Sequence, residues 1–468
     1  MGSTQGGASH GAEVRGLQRV PDSAFAGARF GRMFQDLDPF RPDVERLTSI
    51  AQRMVEESPS SGSGDNPKIP SGYTYFGQFV DHDLTFDPTS TLTKRADPDA
   101  LHDFRTPRFD LDNCYGRGPQ DQPYLYTADG AFVLGRGEDA SEVDLPRTRR
   151  GVAIIGDPRN DENILVSQLQ ATMLSFHNRV LEDVRAGKLD AHLHSDDEDD
   201  HFAEAQRIVR WHYQWAVVRD YLRRIVGPDM ADAVLRPDGT TDLRFYRWRR
   251  APFMPVEFSV AAYRFGHSMI RARYDLNDVI RDVAIFDPRP TPGNALTHLG
   301  GHRVLPAAWQ IAWPFFVDLD EQGPQPSRVL DVRLAPPLSE LPSDVATGFR
   351  SLALRNLVRG SRLGLPSGQA VARAMGTAVL TRDELDLPGP DRAPLWYYVL
   401  REAQVRHNGR HLGEVGGRIV AEVFIGLLEA DPASWLSVEP AWKPFLGRGN
   451  DFSLPDLIRY TKLGHQRR

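Results

Sequence analysis

A glutamine, two acids and a histidine lie inside an otherwise apolar stretch of the chain, residues 73–85. If this stretch is a helix, Gln78 and His82 lie one turn apart on one face, Asp81 lies beside them, and Asp83 turns partly away. Burying such groups without partners would cost roughly a few kcal/mol each, and the aromatic neighbours favour burial. Taken alone, a helix with one histidine is more often amphipathic, with its polar stripe facing water. A chemical role therefore requires partners elsewhere in the chain.

Two further pairs of residues could supply those partners. Arg159 and Glu162 are three residues apart in one stretch with helical periodicity, and Arg264 and His267 have the same spacing in another. On a helix this spacing places both members of a pair on neighbouring positions of one surface. A single histidine such as His267 is usually a core residue with a satisfied ring. Because His267 occurs together with Arg264 and the upstream motif, we favour a functional role over a core role for this histidine.

The composition limits the classes of function. The chain has 468 residues and a net charge of −7, without a basic stripe interleaved with aromatics, so nucleic acid is not expected as a partner. The single Cys114 excludes an intrachain disulfide and fits a reducing compartment. No basic segment followed by an apolar run opens the sequence, and no stretch is long and apolar enough for a membrane span. We expect a cytoplasmic protein, or one exported without a recognisable signal peptide.

The periodicity predicts a mainly α-helical fold with long loops and little sheet. Residues 1–15 are small and polar and are predicted to be a disordered tail, followed by one large catalytic domain, residues 16–468. Residues 24–40 are predicted to form an arm over the core, and residues 151–155 a strand or buried coil. Helices are predicted at residues 43–57, 73–85, 158–185, 201–226, 255–270, 394–405 and 416–430, with others starting near Ser343, Ala370 and Asp383.

In order and spacing, the three polar sites resemble the animal-type haem peroxidases of the peroxidase-cyclooxygenase superfamily, particularly bacterial members. The resemblance extends in patches over most of the chain, and each patch alone is a weak signal. Several patches in one order are unlikely by chance. They are residues 157–162 (Asp-Pro-Arg-Asn-Asp-Glu), 177–179 (His-Asn-Arg), 219–222 (Arg-Asp-Tyr-Leu) and 355–366. The resemblance implies a large helical domain with haem b between the helix that bears His82 and the helix that bears His267.

On the proximal side, the resemblance implies that His267 is the ligand of the haem iron. An axial ligand of this kind needs a hydrogen-bond partner that fixes its tautomer. Asn356 would accept the proton on Nδ1 of His267. Arg264 and Arg359 would meet the haem propionates, where bidentate pairing of a guanidinium is strongest.

On the distal side, the resemblance implies that His82 takes a proton from hydrogen peroxide and passes it to the leaving oxygen. Arg159 would stabilise the negative charge that develops as the O–O bond breaks, and Gln78 would order water or a halide. The expected activity is reduction of hydrogen peroxide through a ferryl intermediate, in a response to oxidative stress. Expected donors are small aromatics, bromide, iodide or thiocyanate.

Two carboxylates match positions that form ester bonds to haem methyl groups in the mammalian branch. They are Asp81 and Glu162, and esterification would let both be buried as neutral links. Asn163 stands where the most strongly oxidising mammalian member has a methionine bonded to a haem vinyl group. That third link is absent, so oxidation of chloride is less expected than oxidation of the other halides.

The loop at residues 106–112 resembles the calcium loop of the same family. Asp83 would contribute a ligand from the distal helix, and Arg108 would contribute its backbone carbonyl. Hard oxygen ligands of this kind suit calcium, and the ion would hold His82 in place. The alternative is a solvated acidic turn. The remaining side-chain ligands implied by the resemblance are Thr106, Asp110 and Asp112.

Other functions remain open. A haem-dependent fatty-acid dioxygenase of the same superfamily is the runner-up, but Arg264 replaces the tyrosine that fatty-acid cyclooxygenases carry three residues before the proximal histidine. Tyr263 lies next to that position and points elsewhere on a helix. A non-catalytic haem or calcium scaffold would not need both His82 and Arg159. A metal hydrolase would need a tight ligand set such as His-Glu-x-x-His, which is absent. The oligomeric state remains open.

Overall fold

The computed structural model describes residues 29–56, 64–86, 103, 105–195, 197, 200–248, 251–286, 298–342, 345–346, 348–389 and 392–463. The predicted tail at residues 1–15 lies outside these ranges, and the single catalytic domain stays a prediction. Helices dominate the described residues, which confirms the mainly α fold. The helices of eight or more residues in this part of the chain are α1 (Val44–Arg53), α2 (Gly72–Leu84), α3 (Ile164–Arg185), α4 (His201–Trp215), α5 (Leu352–Arg362), α6 (Gly368–Met375), α7 (Leu395–His407), α8 (Glu414–Ala430) and α9 (Leu454–Thr461).

The strands of the described residues are short and pair two by two. The parallel pair joins Phe30–Gly31 to Met254–Pro255. The antiparallel pairs join Asp65–Pro70 to Pro326–Arg328, Gly135–Arg136 to Val143–Asp144, and Arg273–Tyr274 to Val283–Ala284. The described part of the predicted arm does lie on the core, because the backbone N–H groups of Met33 and Phe34 donate to Glu257 at 3.0 and 3.1 Å.

Helix α2 lies at the centre of the molecule, where it packs against α3 and against a 3-10 helix, Ala262–Met269. The first N–H groups of a helix have no partner within it. Here the Gly72 N–H donates to the carbonyl of Phe316 at 2.9 Å. A Cβ on Gly77 would lie 2.1 Å from the hydroxyl oxygen of Tyr221. Only glycine therefore allows α2 to approach Tyr221 this closely.

Two predicted helices are interrupted at functionally important places. The predicted helix at residues 158–185 is a 3-10 turn, Pro158–Asp161, followed by α3. The break occurs because Asn163 is extended and its side chain accepts the Val166 N–H at 2.9 Å, which starts a new helix. Glu162 therefore lies at a junction, and the prediction of one helix was wrong.

The predicted helix at residues 255–270 was also wrong. It is a short α-helix, Val256–Ser259, followed by the 3-10 helix Ala262–Met269. Ala261 has φ −129° and ψ −76°, which is not helical. Nε of Arg264 donates to the backbone carbonyl of Ser259 at 3.0 Å. In a continuous helix this carbonyl would accept a hydrogen bond from a backbone N–H instead.

Most other helices agree with the predicted ranges. Asp43 caps α1, as expected for a helix from residue 43. The predicted helix at residues 201–226 is continuous but contains a π-helical segment, Ala216–Tyr221, between α4 and Leu222–Val226. The other confirmed helices are α6, Arg382–Leu385, α7 and α8.

Three details of the predicted elements need comment. The helix expected near Ser343 begins at Leu352, and Ser343 itself lies outside the described residues. Residues 151–155 are coil rather than strand, with Val152 61% exposed. Within the described residues, no helix combines the length and the apolar character that crossing a bilayer requires.

Candidate active site

The two histidine-bearing elements pack against each other. Helix α2 carries His82 near its C-terminal end, and the 3-10 helix Ala262–Met269 carries His267. The hydroxyl of Tyr263 donates to the carbonyl of Gly77 at 3.1 Å, which joins the two elements directly. The elements that carry His82 and His267, 185 positions apart in the chain, are therefore in direct contact.

His82 is 5% exposed, and one side of its ring is held by an amide. Nδ1 lies 2.7 Å from Oδ1 of Asn160. An amide oxygen only accepts hydrogen bonds, so Nδ1 carries the proton and Nε2 is left with a free lone pair. The Asn160 amide nitrogen donates to Gln170 at 2.7 Å, which fixes the orientation of the Asn160 side chain.

The charge state of His82 follows from its surroundings. Burial lowers its pKa to about 4, and the positive charge of Arg159 acts in the same direction. Asp81, Asp157 and the hydrogen bond that His82 donates to Asn160 oppose this shift. His82 is therefore neutral at neutral pH, and its Nε2 is available as a base.

Glu162 and Gln78 lie on the Nε2 side of His82. Oε1 of Glu162 is 3.9 Å from Nε2 of His82 and accepts a hydrogen bond from the Gln78 amide. The Gln78 oxygen accepts from Asn163 at 3.2 Å. The Glu162 side chain is 44% exposed, yet burial raises its pKa to about 7.

Arg159 is oriented by a buried acid. Its Nη2 donates to Asp157 at 2.7 Å and to the carbonyl of His82 at 3.1 Å, and its guanidinium lies 4.6 Å from the ring centre of Phe86. Asp157 also pairs with Arg105 at 2.6 Å. Although burial opposes ionisation, the hydrogen bond and charge of Arg159 together with Arg105 lower the pKa of Asp157 to about 2.

On the proximal side, Asn356 lies between His267 and Arg264. Its Nδ2 is 2.9 Å from Nδ1 of His267, and its Oδ1 accepts from Nη1 of Arg264 at 2.8 Å. The predicted arrangement had the amide oxygen facing His267. The guanidinium competes for that oxygen because it can only donate. Arg264 therefore lies against Asn356 and Ser259, and its contact with a haem propionate stays a prediction.

His267 can act as a metal ligand. Burial and the charge of Arg264 lower its pKa to about 3, so the ring is neutral. Its Nε2 forms no hydrogen bond with any residue that the structure describes. The Trp396 ring lies edge-on, 6.4 Å away. Because the Asn356 amide nitrogen donates to Nδ1, the single proton of this neutral ring lies on Nε2, and Nε2 must lose that proton to bind iron.

The residues around the two histidines fit a haem group. Gln78, Asp81 and His267 are partly exposed although the elements that carry them are packed in the core. A Cβ on Gly266 would meet no atom within 4 Å. Asp81 accepts from Thr85 Oγ1 at 3.1 Å and retains its other oxygen for a ligand. Arg359 is half-buried on α5, one turn after Asn356, and its role stays a prediction.

Three carboxylates near His82 form a second candidate site. One oxygen of each lies within 4.8 Å of the others, and these acids are Asp83, Asp110 and Asp112. Burial and the neighbouring carboxylates raise the pKa of Asp83 and Asp112. Oδ1 of Asp83 is buried without a hydrogen-bond partner, and Thr106 Oγ1 donates to Asp110 at 2.7 Å. The all-oxygen set that these acids offer is of the kind that fits a hard ion.

The sequence of this chain is similar to those of proteins named as peroxidases. The family model described as "Animal haem peroxidase" matches residues 104–286. Peroxidasin from Drosophila melanogaster is 25% identical over an alignment of 304 residues, and this alignment covers 59% of this chain. The chain is therefore similar to the animal haem peroxidases over this part of its length.

The match is partial for the curated relatives and nearly complete for one fold neighbour. The chain spans 18% of the fly peroxidasin, and of the thyroid peroxidases it covers 13% of the human and 34% of the dog protein. Peroxidase A from Dictyostelium discoideum has a TM-score of 0.64 at 14% identity, with 96% of both chains covered. A fatty acid alpha-dioxygenase from Arabidopsis thaliana has a TM-score of 0.57 at 16% identity, covering 92% of this chain and 75% of that one. These two likenesses show the fold alone.

Sequence reasoning missed four residues of the candidate site in this chain, which are Asn160, Gln170, Asp157 and Arg105. Asn160 and Asp157 stand in the string that suggested the family, but nothing in the string shows that Asn160 faces His82, 78 residues earlier. Gln170 lies on a buried face of α3, where helical periodicity predicts only core packing. The observable signal is a polar side chain at a core position of α3.

Asn160 can be tested as a positioning residue for His82. Asn160→Asp would place a carboxylate on the Nδ1 proton, so the acid limb of the pH profile for the reaction with peroxide should move up by roughly 1–3 units. Asn160→Leu removes the acceptor and frees the tautomer, so the rate should fall about tenfold while the limb does not move up. If Asn160 had a purely structural role, both variants would be less stable, and the acid limb of the pH profile would not differ between them.

Proposed function

We propose that this chain is a peroxidase that binds haem b through His267, reduces hydrogen peroxide and oxidises small donors. The family match and the peroxidase names of the relatives support this class of oxidoreductase. One observation carries the proposal. Two packed elements present two neutral imidazoles, His267 with an unpartnered Nε2 and His82 with a base-ready Nε2 beside Glu162 and Gln78.

The residues of the chain have separate tasks in this proposal. Bound haem supplies the iron at which the O–O bond of hydrogen peroxide is broken. His82 accepts the peroxide proton on Nε2 and returns it to the leaving oxygen, while Asn160 keeps the other ring proton on Nδ1. Arg159 contributes positive charge beside His82, and Asp157 holds its guanidinium in place. Gln78 and Glu162 position water, peroxide or a halide next to Nε2.

We further propose small aromatics, bromide, iodide or thiocyanate as donors. The support is indirect, because Asn163 replaces the methionine of the third covalent link and is used as the N-cap of α3. A donor screen with peroxide, followed by absorbance, tests this choice. Chloride should be the poorest halide donor.

The function is tested by reconstitution. Protein supplied with haem should show a Soret band and peroxide-dependent oxidation of guaiacol. Oxygen uptake with a polyunsaturated or saturated fatty acid, without peroxide, would instead support the dioxygenase. The fold likeness to a fatty acid alpha-dioxygenase favours keeping that alternative. Tyr263 does not favour it, because its hydroxyl is used in bonds to Gly77 and Tyr221 at 3.1 and 3.2 Å. Protein that binds no haem would exclude both.

Asp81 and Glu162 are proposed to form ester links to haem after exposure to peroxide. Both are accessible to solvent, and the pKa of Glu162 is raised to about 7 by burial, so its neutral form is well populated. Acid-butanone should then leave haem with the protein, and intact mass should rise by the mass of haem. Glu162→Gln should release more haem than the wild type. Complete release of unmodified haem b from wild-type protein would contradict the proposal.

Calcium is proposed to bind the acidic cluster, with Thr106 Oγ1 and the Arg108 carbonyl completing the ligand set around Asp83, Asp110 and Asp112. A ligand at a hundred times its Kd stabilises the folded state by about 2.7 kcal/mol. A chelator should therefore lower Tm by several degrees, and added calcium should restore it. Elemental content and differential scanning calorimetry measure both effects.

The control for calcium uses two matched acids. Asp83→Asn should abolish the calcium-dependent rise in Tm, because Oδ1 of Asp83 is the buried oxygen without a partner. Asp190→Asn alters an exposed acid outside the cluster and should keep the rise. Chelator-free protein without calcium would overturn the assignment.

A further inference from the structure

A polar recess of about 160 Å³ lies between the end of α1, the loop at residues 332–333, the end of Arg382–Leu385 and helix α7. A single water needs roughly 10–15 Å³ of such space, so the recess has room for a larger ligand. It shares no residue with the two histidine sites. Its polar lining consists of Arg53, Arg333, Arg401, Asp386, Tyr397 and Gln404.

Two of the arginines are held in fixed orientations by neutral acceptors. Nη1 of Arg333 donates to the carbonyl of Arg53 at 3.0 Å, at the C-terminal end of α1. Arg401 donates through Nε to the carbonyl of Glu384 at 2.5 Å and through Nη1 to Gln404 at 2.7 Å. These bonds leave Nη2 of both guanidiniums without a hydrogen bond to any described residue.

The three arginines of the recess lack a carboxylate partner of the kind that a neighbouring arginine has. Arg406, on the same helix α7, pairs with Glu384 at 2.6 Å. Arg53, Arg333 and Arg401 form no such ion pair among the described residues. Asp331 accepts the Arg333 backbone N–H at 2.8 Å, but it does not line the recess.

The charges around Tyr397 confirm that these groups converge. Its hydroxyl donates to the Leu385 carbonyl at 2.9 Å, and its ring is buried. Burial raises the pKa of Tyr397 to about 12, while Arg401, Arg53 and Arg333 oppose the shift and Asp386 adds to it. The charged residues that line the recess are therefore three arginines and one aspartate, a surplus of two positive charges, and Asp331 outside the lining also acts on Arg333.

We propose that this recess binds the phosphate group of a small dianionic ligand, either inorganic phosphate or a phosphate monoester. A phosphate monoester carries a charge of about −1.5 to −2 at pH 7, which matches the surplus of the recess. Fixed guanidinium forks are the groups that recognise phosphate oxygens best. Monoanions such as chloride or acetate would leave one positive charge uncompensated and bind more weakly.

The test is calorimetric titration of the full-length, haem-loaded protein at constant ionic strength. Inorganic phosphate and glycerol 3-phosphate are the two phosphate probes, and sodium acetate is the monoanion. We expect one saturable site per chain for a phosphate probe. Arg333→Gln and Arg401→Gln should each weaken binding by about tenfold or more, as expected for loss of a charge-assisted hydrogen bond. The phosphate probe that binds more tightly identifies the source of the group.

Two controls keep the result interpretable. Arg149→Gln removes an exposed positive charge outside the recess and should leave phosphate affinity unchanged. Arg53→Gln removes a recess charge whose side chain makes no hydrogen bond among the described residues, so it tests the site without loss of a structural bond. The proposal is overturned if neither phosphate probe gives saturable binding, if acetate binds equally well, or if the Arg53 and Arg149 variants retain the same affinity.

Discussion

Replacing His82 with alanine should slow the reaction with hydrogen peroxide by about 10²–10⁴-fold, the usual contribution of a positioned general base. The loss follows from the bonding of the ring. Asn160 holds the proton on Nδ1, so Nε2 is the basic nitrogen, and it faces Glu162 and Gln78. The variant should still bind haem, because His82 is not the proposed iron ligand. Stopped-flow absorbance after mixing with peroxide measures the rate, and the Soret band measures the haem content.

The pH dependence gives a second signature of His82. Its pKa is lowered to about 4, mainly by burial. The neutral, basic form is therefore fully present at neutral pH and is lost as the pH falls through about 4. The wild-type rate should be constant near neutrality and fall below this value. His82→Ala should lack this limb, whereas His302→Ala, which removes an exposed imidazole, should retain both rate and limb.

Arg159→Ala should also slow the reaction, by about 10²–10³-fold, the cost of losing one electrostatic stabiliser. It should raise the acid limb as well, because the charge of Arg159 helps to lower the pKa of His82. Unchanged rates in the variants of both His82 and Arg159 would contradict the roles assigned to them.

The sequence predicted the helices better than the places where they stop. Helical periodicity predicted one helix at residues 158–185. The helix is interrupted at Glu162 because backbone N–H groups that are distant in sequence donate to the carbonyl groups of Asp161 and Glu162. The Gly301 N–H donates to Glu162 O at 3.0 Å, and the His302 N–H donates to Asp161 O at 2.8 Å. A Cβ on Gly301 would lie 1.9 Å from Asp161 O, so only glycine fits there. Contacts between residues so far apart in the chain leave no local pattern.

The same limit applies to the candidate site. The motifs named both histidines, and the fold brings their elements together. Side-chain orientation depends on competition for hydrogen bonds, which spacing does not reveal. The Arg264 guanidinium donates to the amide oxygen of Asn356, and the Arg159 guanidinium donates to the Asp157 carboxylate. Asn160 was invisible as a partner of His82 because its position follows from the 3-10 turn Pro158–Asp161, where an α-helix was predicted.

Replacing His267 with alanine should remove the axial ligand and with it most of the bound haem. The nitrogen of His267 without a hydrogen bond to a described residue is Nε2, since Nδ1 accepts from the Asn356 amide nitrogen at 2.9 Å. Burial lowers the pKa of the ring to about 3, so the ring is neutral and its one proton on Nε2 must leave when iron binds. Haem content after purification and the Soret spectrum measure the effect. Any haem that remains through other contacts should show an altered spectrum.

Chemical rescue separates ligation from folding. Imidazole added to His267→Ala should enter the space left by the side chain and restore the wild-type Soret band, because the variant lacks only the ring. His302→Ala should bind haem normally and should not respond to imidazole. An unaltered Soret band and full haem content in His267→Ala would show that another residue holds the iron. The proximal assignment would then fail, although the base at His82 could still be measured independently.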